Sequence, residues 1–212
     1  GRVNGMEFAT AVYTNLSHDH LDYHGSMEAY ARAKLRLFAN ESLRHAVINA
    51  DDPFSSQVRS AVATGAQVLT YSTSGAAADI RVENARFHAE GVRGELHSPW
   101  GSAEFFSPLP GNFNLANLAA AVVALVLAGE DLLAVLEAVA QLRPIPGRMQ
   151  AIPNTLDLQV IVDYAHTPHA LEQLLKAIRP HVSGSLITVF GCGGDRDREK
   201  RQVMGRIACA LS

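Results

Sequence analysis

Phe8-Ala9-Thr10-Ala11-Val12-Tyr13-Thr14, the polar loop Asn15 to Gly25, the stretch Met27 to Asn40 and the run Ala46-Val47-Ile48-Asn49 together decide the fold class. The first run is apolar and β-branched and stops at Asn15, which predicts a buried strand ending in a loop. Ser26 is placed to N-cap the next segment, whose apolar residues recur with helical spacing. A second short strand at Ala46 to Asn49 then precedes the turn Asp51-Asp52-Pro53. Strand, helix, strand is the βαβ signature of an α/β protein with a mostly parallel sheet.

Working outward, a helix around Phe54 to Ala63 and a strand at Gln67 to Tyr71 continue the alternation. From Asp79 to Ser107 the period shortens to two, as in Ile80-Arg81-Val82-Glu83 and Gly94-Glu95-Leu96-His97, which predicts a small antiparallel β segment. Pro110-Gly111-Asn112 opens a long helix through Ala128, and Leu132 to Leu142 forms a second. Arg143-Pro144-Ile145-Pro146-Gly147-Arg148, with its prolines and glycine, is the candidate domain boundary, dividing residues 1–145 from 146–212. Beyond it the expectation is a strand at Gln159 to Val162, a helix at Pro168 to Ile178, a strand at Leu186 to Phe190, a glycine loop and a helix from about Arg198.

Composition narrows the function. The 212 residues are 48% hydrophobic and 18% charged, with 18 basic against 21 acidic residues and a net charge of -3, so the chain as a whole is globular rather than disordered. That balance argues against binding nucleic acid by phosphate neutralisation. The most apolar stretch, Leu118 to Ala128, is well short of the roughly 20 residues that span a bilayer and reads as a buried helix. No membrane association or obligate protein partner is inferred. Cys192 and Cys209 belong to no paired metal spacing, and a reducing cytoplasm is the simplest setting. The start at Gly1 shows no signal-like core and Ser212 falls partway through a helical pattern, so both ends are expected to be cuts in a longer protein.

Five places carry chemistry. His18-Asp19-His20-Leu21-Asp22-Tyr23-His24 groups imidazoles and carboxylates just past a strand, where α/β sheets place their sites, and these side chains suit a divalent metal. The same residues also suit a solvated loop with a capping aspartate. Lys34 falls on the arc of Met27, Tyr30, Ala31, Leu35, Leu37 and Phe38, opposite Arg32 and Arg36, where a core residue is expected. Its amine is therefore snorkelling, paired with a carboxylate, or neutral and able to take up carbon dioxide as a carbamate. Asn114 and Asn117, one turn apart, suit the donor and acceptor edges of a purine, although capping accounts for one of them. In Asp163-Tyr164-Ala165-His166-Thr167-Pro168, Thr167 is a plausible N-cap with Pro168 at the first helical position, which leaves Asp163 and His166 without a structural role. Gly191-Cys192-Gly193-Gly194-Asp195-Arg196-Asp197 resembles an anion loop before a helix, and a generic glycine turn explains its glycines equally well.

Taken in order, Thr14 to Gly25, Ala33-Lys34, Gly111-Asn112-Phe113-Asn114 with Asn117, Gly147-Arg148-Met149, Asp163 to Pro168 and Gly191 to Asp197 resemble the Mur ligase family, and within it the UDP-N-acetylmuramoyl-tripeptide synthetases. The resemblance implies the later part of a P-loop-type central ATPase domain over residues 1–145 and the opening of a Rossmann-like C-terminal domain over 146–212. It implies ATP and Mg2+, with a UDP-MurNAc-dipeptide and a third amino acid, meso-diaminopimelate or lysine, as substrates. The dipeptide carboxylate would be phosphorylated and the acyl phosphate attacked by the incoming amine. Residue by residue, Lys34 matches the carbamylated lysine and His20 a histidine that both serve magnesium. Asn114 and Asn117 match the adenine side, Arg148 a phosphate-side arginine and Asp163 the ribose carboxylate, with His166 beside it in the nucleotide motif. Arg196 matches the receiver of the amino acid carboxylate, and Arg2 a contact to the UDP-muramoyl substrate.

The chain departs from that family in having no Gly-x-x-x-x-Gly-Lys-Ser/Thr run, so the phosphate loop and the activity are expected to need the rest of a longer protein. Two other readings share many of these residues. One is a nucleotide- or amino-acid-binding module without turnover. The other is another ligase of the superfamily, such as MurF or folylpolyglutamate synthase.

Overall fold

The computed structural model describes residues 5–17, 21–88, 91–143, 145–156, 158–179, 182–193 and 199–212. Strand β1 (Thr10–Tyr13) leads through the short helix α1 (Leu21–His24) into α2 (Met27–Phe38), and the chain returns as β2 (His45–Asn49). Helix α3 (Ser55–Ser60) and strand β3 (Gln67–Ser72) repeat the unit. The β-meander β4 (Ile80–His88), β5 (Gly91–Ser98) and β6 (Gly101–Ser107) follows, then helices α4 (Asn112–Leu127) and α5 (Leu132–Val139). The remainder contains β7 (Gln150–Ile152), β8 (Val160–Val162), α6 (Pro168–Ile178) and α7 (Glu199–Leu211).

The α2 start follows from its cap: Ser26 is extended, and its Oγ accepts from the Ala29 amide at 3.2 Å, occupying one of the N–H groups that a helix start leaves unpaired. Asp131 and Thr167 cap α5 and α6 in the same way, with Pro168 supplying the preset φ of a first helical residue.

The first six strands form one sheet in sequence order. β1, β2, β3 and β4 run parallel, and β4, β5 and β6 are antiparallel, so the meander is fused to the parallel sheet rather than separate from it. The junction is narrow: only Tyr71↔Ile80 and Ser72↔Arg81 pair β3 with β4. Strand alternation loads both faces of the parallel part. Ala11, Tyr13, Ala46 and Ile48 point to the α2 and α3 side, where they meet Phe38, Leu43 and Val58. Val47, Leu69 and Tyr71 point to the other side, into a core with Leu115, Ala119, Val122 and Val123 of α4. Each of the larger apolar side chains contributes roughly 1.5–3 kcal/mol by leaving water, so α4 is held to the sheet by its apolar length rather than by polar contacts.

Beyond residue 145 the fold differs from expectation in two places, an added strand β7 and a missing one at residues 186–190. β7 and β8 form a separate two-stranded antiparallel sheet, and α6 packs on α7 through Leu171, Leu175, Met204 and Ala208. Residues 186–190, expected as a strand, are irregular, with Ile187 82% and Val189 93% exposed. A strand exists only where a neighbour completes its ladder, and none among the described residues pairs with this segment. Leu186 alone turns inward, against the α6 and α7 cluster.

Candidate active site

At the carboxyl ends of β1, β2 and β3 a polar network fixes the loops. Tyr13 Oη donates to Asp52 Oδ1 at 2.6 Å, and the Leu16 and Phe54 amides also donate to that carboxylate, at 3.3 and 2.9 Å. Asn49 Nδ2 donates to the Thr14 carbonyl at 2.8 Å. Asp51 accepts from Ser72 Oγ at 2.6 Å and the Thr73 amide at 2.8 Å. Burial, and then the hydrogen bond and negative charge of Asp52, push the Tyr13 phenol well above its ordinary range. Burial and the charges of Asp51 and Asp52 do the same to Tyr71. Both phenols therefore stay protonated, Tyr13 donating to Asp52 and Tyr71 to the Tyr13 carbonyl at 3.5 Å.

Lys34 lies on α2, which follows the loop leaving β1. It is half-buried rather than a core residue, and Leu37, expected on the same buried arc, is 36% exposed. The buried members of α2 are Ala31 and Phe38. Lys34 Nζ lies 5.0 Å from the Tyr30 ring centroid, Tyr30 stacks on His24 with centroids 4.9 Å apart, and His24 meets Tyr23 edge-on. The aromatic stack thus runs from α1 along α2 to the lysine, whose ammonium lies over the Tyr30 ring.

A second cluster joins three separated motifs. Asp163 accepts the Met149 amide on Oδ2 and the Ala165 amide on Oδ1, both at 2.8 Å, tying residues 147–149 to the loop after β8. Arg148 lies over the Tyr164 ring with Cζ 4.6 Å from its centroid, and His166 Nδ1 is 2.9 Å from the Tyr164 carbonyl. Buried Met149 reaches the start of α4, because a Cβ built on Gly111 would lie 3.1 Å from its Sδ. Gly111 holds φ +90, a conformation that side chains rarely adopt, so glycine is favoured there. Asn114 Nδ2 donates to the Pro110 carbonyl at 2.6 Å, and Asn117 is exposed one turn on. An amide pair, a guanidinium, a half-buried carboxylate and an imidazole around one glycine-opened helix offer donors and acceptors suited to a nucleotide.

Comparison with known proteins places the chain in a family. Residues 1–125 match the Mur ligase middle domain and residues 147–212 the Mur ligase glutamate ligase domain. The chain belongs to the Mur ligase family. Among curated Mur ligases it is 54% identical to the UDP-N-acetylmuramoyl-L-alanyl-D-glutamate--2,6-diaminopimelate ligase of Gloeobacter violaceus and 51% identical to that of Synechococcus elongatus. Each match covers 100% of this chain and 43% of the relative, so the chain spans less than half the length of those ligases. A solved structure of a UDP-N-acetylmuramoyl-L-alanyl-D-glutamate--2,6-diaminopimelate ligase matches with a TM-score of 0.76 and 46% identity, over 100% of this chain and 44% of the other. An FPGS-AMPPCP-folate complex matches with a TM-score of 0.81 over 99% of this chain and 50% of the other; at 23% identity it shows the shared fold alone.

Within this Mur ligase chain the structure gathers Arg148, Asp163 and His166 around one turn, with the α4 start that carries Asn114 against it. No described contact joins Lys34 to that group. Arg2, His20 and Arg196 lie outside the described residues, and among the described residues no group of three His, Cys, Asp or Glu side chains converges as a metal site. No helix among the described residues is long and apolar enough to cross a membrane. Sequence reasoning missed the Tyr13 to Asp52 bond and the Arg148 to Tyr164 stack. Their only signal was a tyrosine at the end of a predicted strand and another beside Asp163, too common to single out.

Proposed function

We propose that the full-length protein carrying this chain is the ATP-dependent ligase that joins 2,6-diaminopimelate to UDP-N-acetylmuramoyl-L-alanyl-D-glutamate in the cytoplasm, a step of peptidoglycan precursor synthesis. The observation that carries the reading is identity of 54% across the whole chain with a ligase of that name. The choice of diaminopimelate over lysine rests on the names of those relatives. Residues 1–145 are assigned to the later part of the central ATP-binding domain and 146–212 to the opening of the C-terminal domain.

The residues present fit a nucleotide. After accepting two amides, Asp163 keeps a free lone pair on each oxygen for ribose hydroxyls. Asn114 and Asn117 would read the adenine edge, and Arg148, held against Tyr164, would face phosphate oxygens with His166 beside it. For magnesium the chemistry of the donors decides. A lysine amine donates and does not ligate a hard cation, so Lys34 serves only as its carbamate, whose anionic oxygens are of the required type, together with His20. Magnesium there would neutralise charge on the transferring phosphoryl group. Arg2 would hold the UDP-muramoyl substrate and Arg196 the carboxylate of the incoming amino acid.

The reaction then proceeds by phosphorylation of the dipeptide carboxylate, attack of the amine on the acyl carbon, and loss of phosphate. The test is isotopic. With 18O in the accepting dipeptide carboxylate, one labelled oxygen is expected in each phosphate released by the full-length protein; unlabelled phosphate accompanying product would refute the acyl phosphate.

A further inference from the structure

The meander carries an unexplained pair of directly opposed arginines on the face turned away from the core. Val82, Val92, Leu96 and Phe105 face inward, with Ala85 and Phe87 packed against them. A β-bulge between Glu83 and Arg86 contains Asn84 at φ +53. It shifts the alternation so that Arg86 emerges on the same outer face as Glu83; without the extra residue Arg86 would point at the core. The result is that Arg86 pairs in register with Arg93, and Arg93 with Phe106. Like charges directly opposite in an antiparallel pair disfavour the sheet, yet neither guanidinium has a hydrogen bond or ion pair among the described residues.

Two of the nearby acids have other partners, while Glu104, opposite Glu95 in the ladder, has none among the described residues. Glu83 holds Arg81 at 2.9 Å, while Glu95, which two positions along the strand would be the natural partner of Arg93, accepts from Asn84 Nδ2 at 3.0 Å and lies 3.5 Å from His97. The bulge therefore does two things: it presents Arg86 and it draws Glu95 away. Arg93 is ordered over Phe106, with Cζ 4.9 Å from the ring centroid. Asn84, Arg86, Arg93, Glu95, Glu104 and Phe106 are among the residues that line an open cleft of about 610 Å3.

We propose that this cleft binds a phosphoryl dianion, with Arg86 and Arg93 as its forked donors. Two guanidiniums from directly opposed residues can converge on one tetrahedral group, and the dianion relieves the opposition that the register builds in. Glu95 and Glu104 share the cleft, so only an anion small enough to sit between the two guanidiniums would avoid their carboxylates. The site is independent of the ligase reading, since it uses none of the residues assigned to nucleotide, magnesium or substrate.

The test uses the full-length protein with labelled arginine, titrated at constant ionic strength with inorganic phosphate, glycerol phosphate or succinate. Saturable shifts of the Arg86 and Arg93 Nε–H signals with phosphate are expected, weakened at least tenfold in R86Q/R93Q. Binding of the ester as well marks a phosphorylated metabolite as the ligand, and binding of phosphate alone marks the free ion. R86Q by itself is expected to raise the unfolding temperature in phosphate-free buffer and to lose stabilisation by phosphate. The proposal is overturned if neither phosphate nor the ester shifts those signals, if the variants bind as well as the parent, or if succinate binds as tightly as phosphate.

Discussion

Replacing Asp163 with asparagine removes one acceptor from a group that uses both. In the native chain Oδ2 takes the Met149 amide and Oδ1 the Ala165 amide, each at 2.8 Å. An asparagine offers one oxygen and one NH2, so one backbone N–H must face another donor. A hydrogen bond to a charged group is worth about 1.5–3 kcal/mol, and the half-burial of Asp163 argues for the lower end. Since about 1.4 kcal/mol is a factor of ten in an equilibrium constant, amide hydrogen exchange at Met149 or Ala165 should accelerate about tenfold in D163N. Amides in α2 should keep their rates. Arg148 and His166 depend on the same turn, so nucleotide affinity of the full-length protein should fall by a similar factor. Exchange at both amides within twofold of the parent would refute the claim that Asp163 organises this site.

Other perturbations test other levels of the structure. Gly91→Ala would place a Cβ 2.0 Å from the Ser107 carbonyl oxygen and 2.7 Å from Pro108 Cα, at a φ of +141; backbone cannot yield cheaply, and a loss of about 3 kcal/mol or more, roughly 6–12 °C in calorimetry, is expected. A fall below about 2 °C would contradict it. Asp79 is an exposed acid with a lowered pKa: partial desolvation raises it, but hydrogen bonds from the Thr70 hydroxyl and amide, at 2.7 and 2.8 Å, with Arg59 nearby, leave it below the ordinary aspartate range. A depressed pKa stabilises above the unfolded value and loses that contribution as pH falls through the folded one. D79N should therefore be less stable than the parent at pH 7 in urea unfolding, the gap closing below about pH 4; a gap constant with pH would count against it. Lys34→Ala in the full-length protein should reduce ligation at least a hundredfold while changing ATP affinity little, and bicarbonate should leave the variant unaffected. Retained ligation would remove Lys34 from the mechanism.

The α/β class was readable because β1, α2 and β2 follow local rules: β-branched runs, a serine cap and helical spacing all point the same way. The meander was readable by its period of two, but its fusion to the parallel sheet through Tyr71↔Ile80 was not, because a two-residue ladder leaves no pattern in sequence. Residues 186–190 show the converse: strong β propensity without a ladder partner yields no strand. At the site, residue types marked Asp163 and Arg148, yet the anchoring of Met149 by that aspartate depends on residues fourteen apart meeting in space. Lys34 showed the limit of a helical wheel. The arc located the lysine correctly relative to Ala31 and Phe38, but the half-burial and the Tyr30 contact depend on what packs over the arc.

The central claim is that the protein containing this chain forms an amide bond to diaminopimelate with ATP as phosphoryl donor. The direct measurement is mass spectrometry of the nucleotide product after incubating the full-length protein with UDP-N-acetylmuramoyl-L-alanyl-D-glutamate, ATP, Mg2+ and either diaminopimelate or lysine. The account predicts a tripeptide product bearing diaminopimelate, with one ADP formed per product, and little product with lysine. No amide product with either amino acid, or preferential addition of lysine, would contradict it.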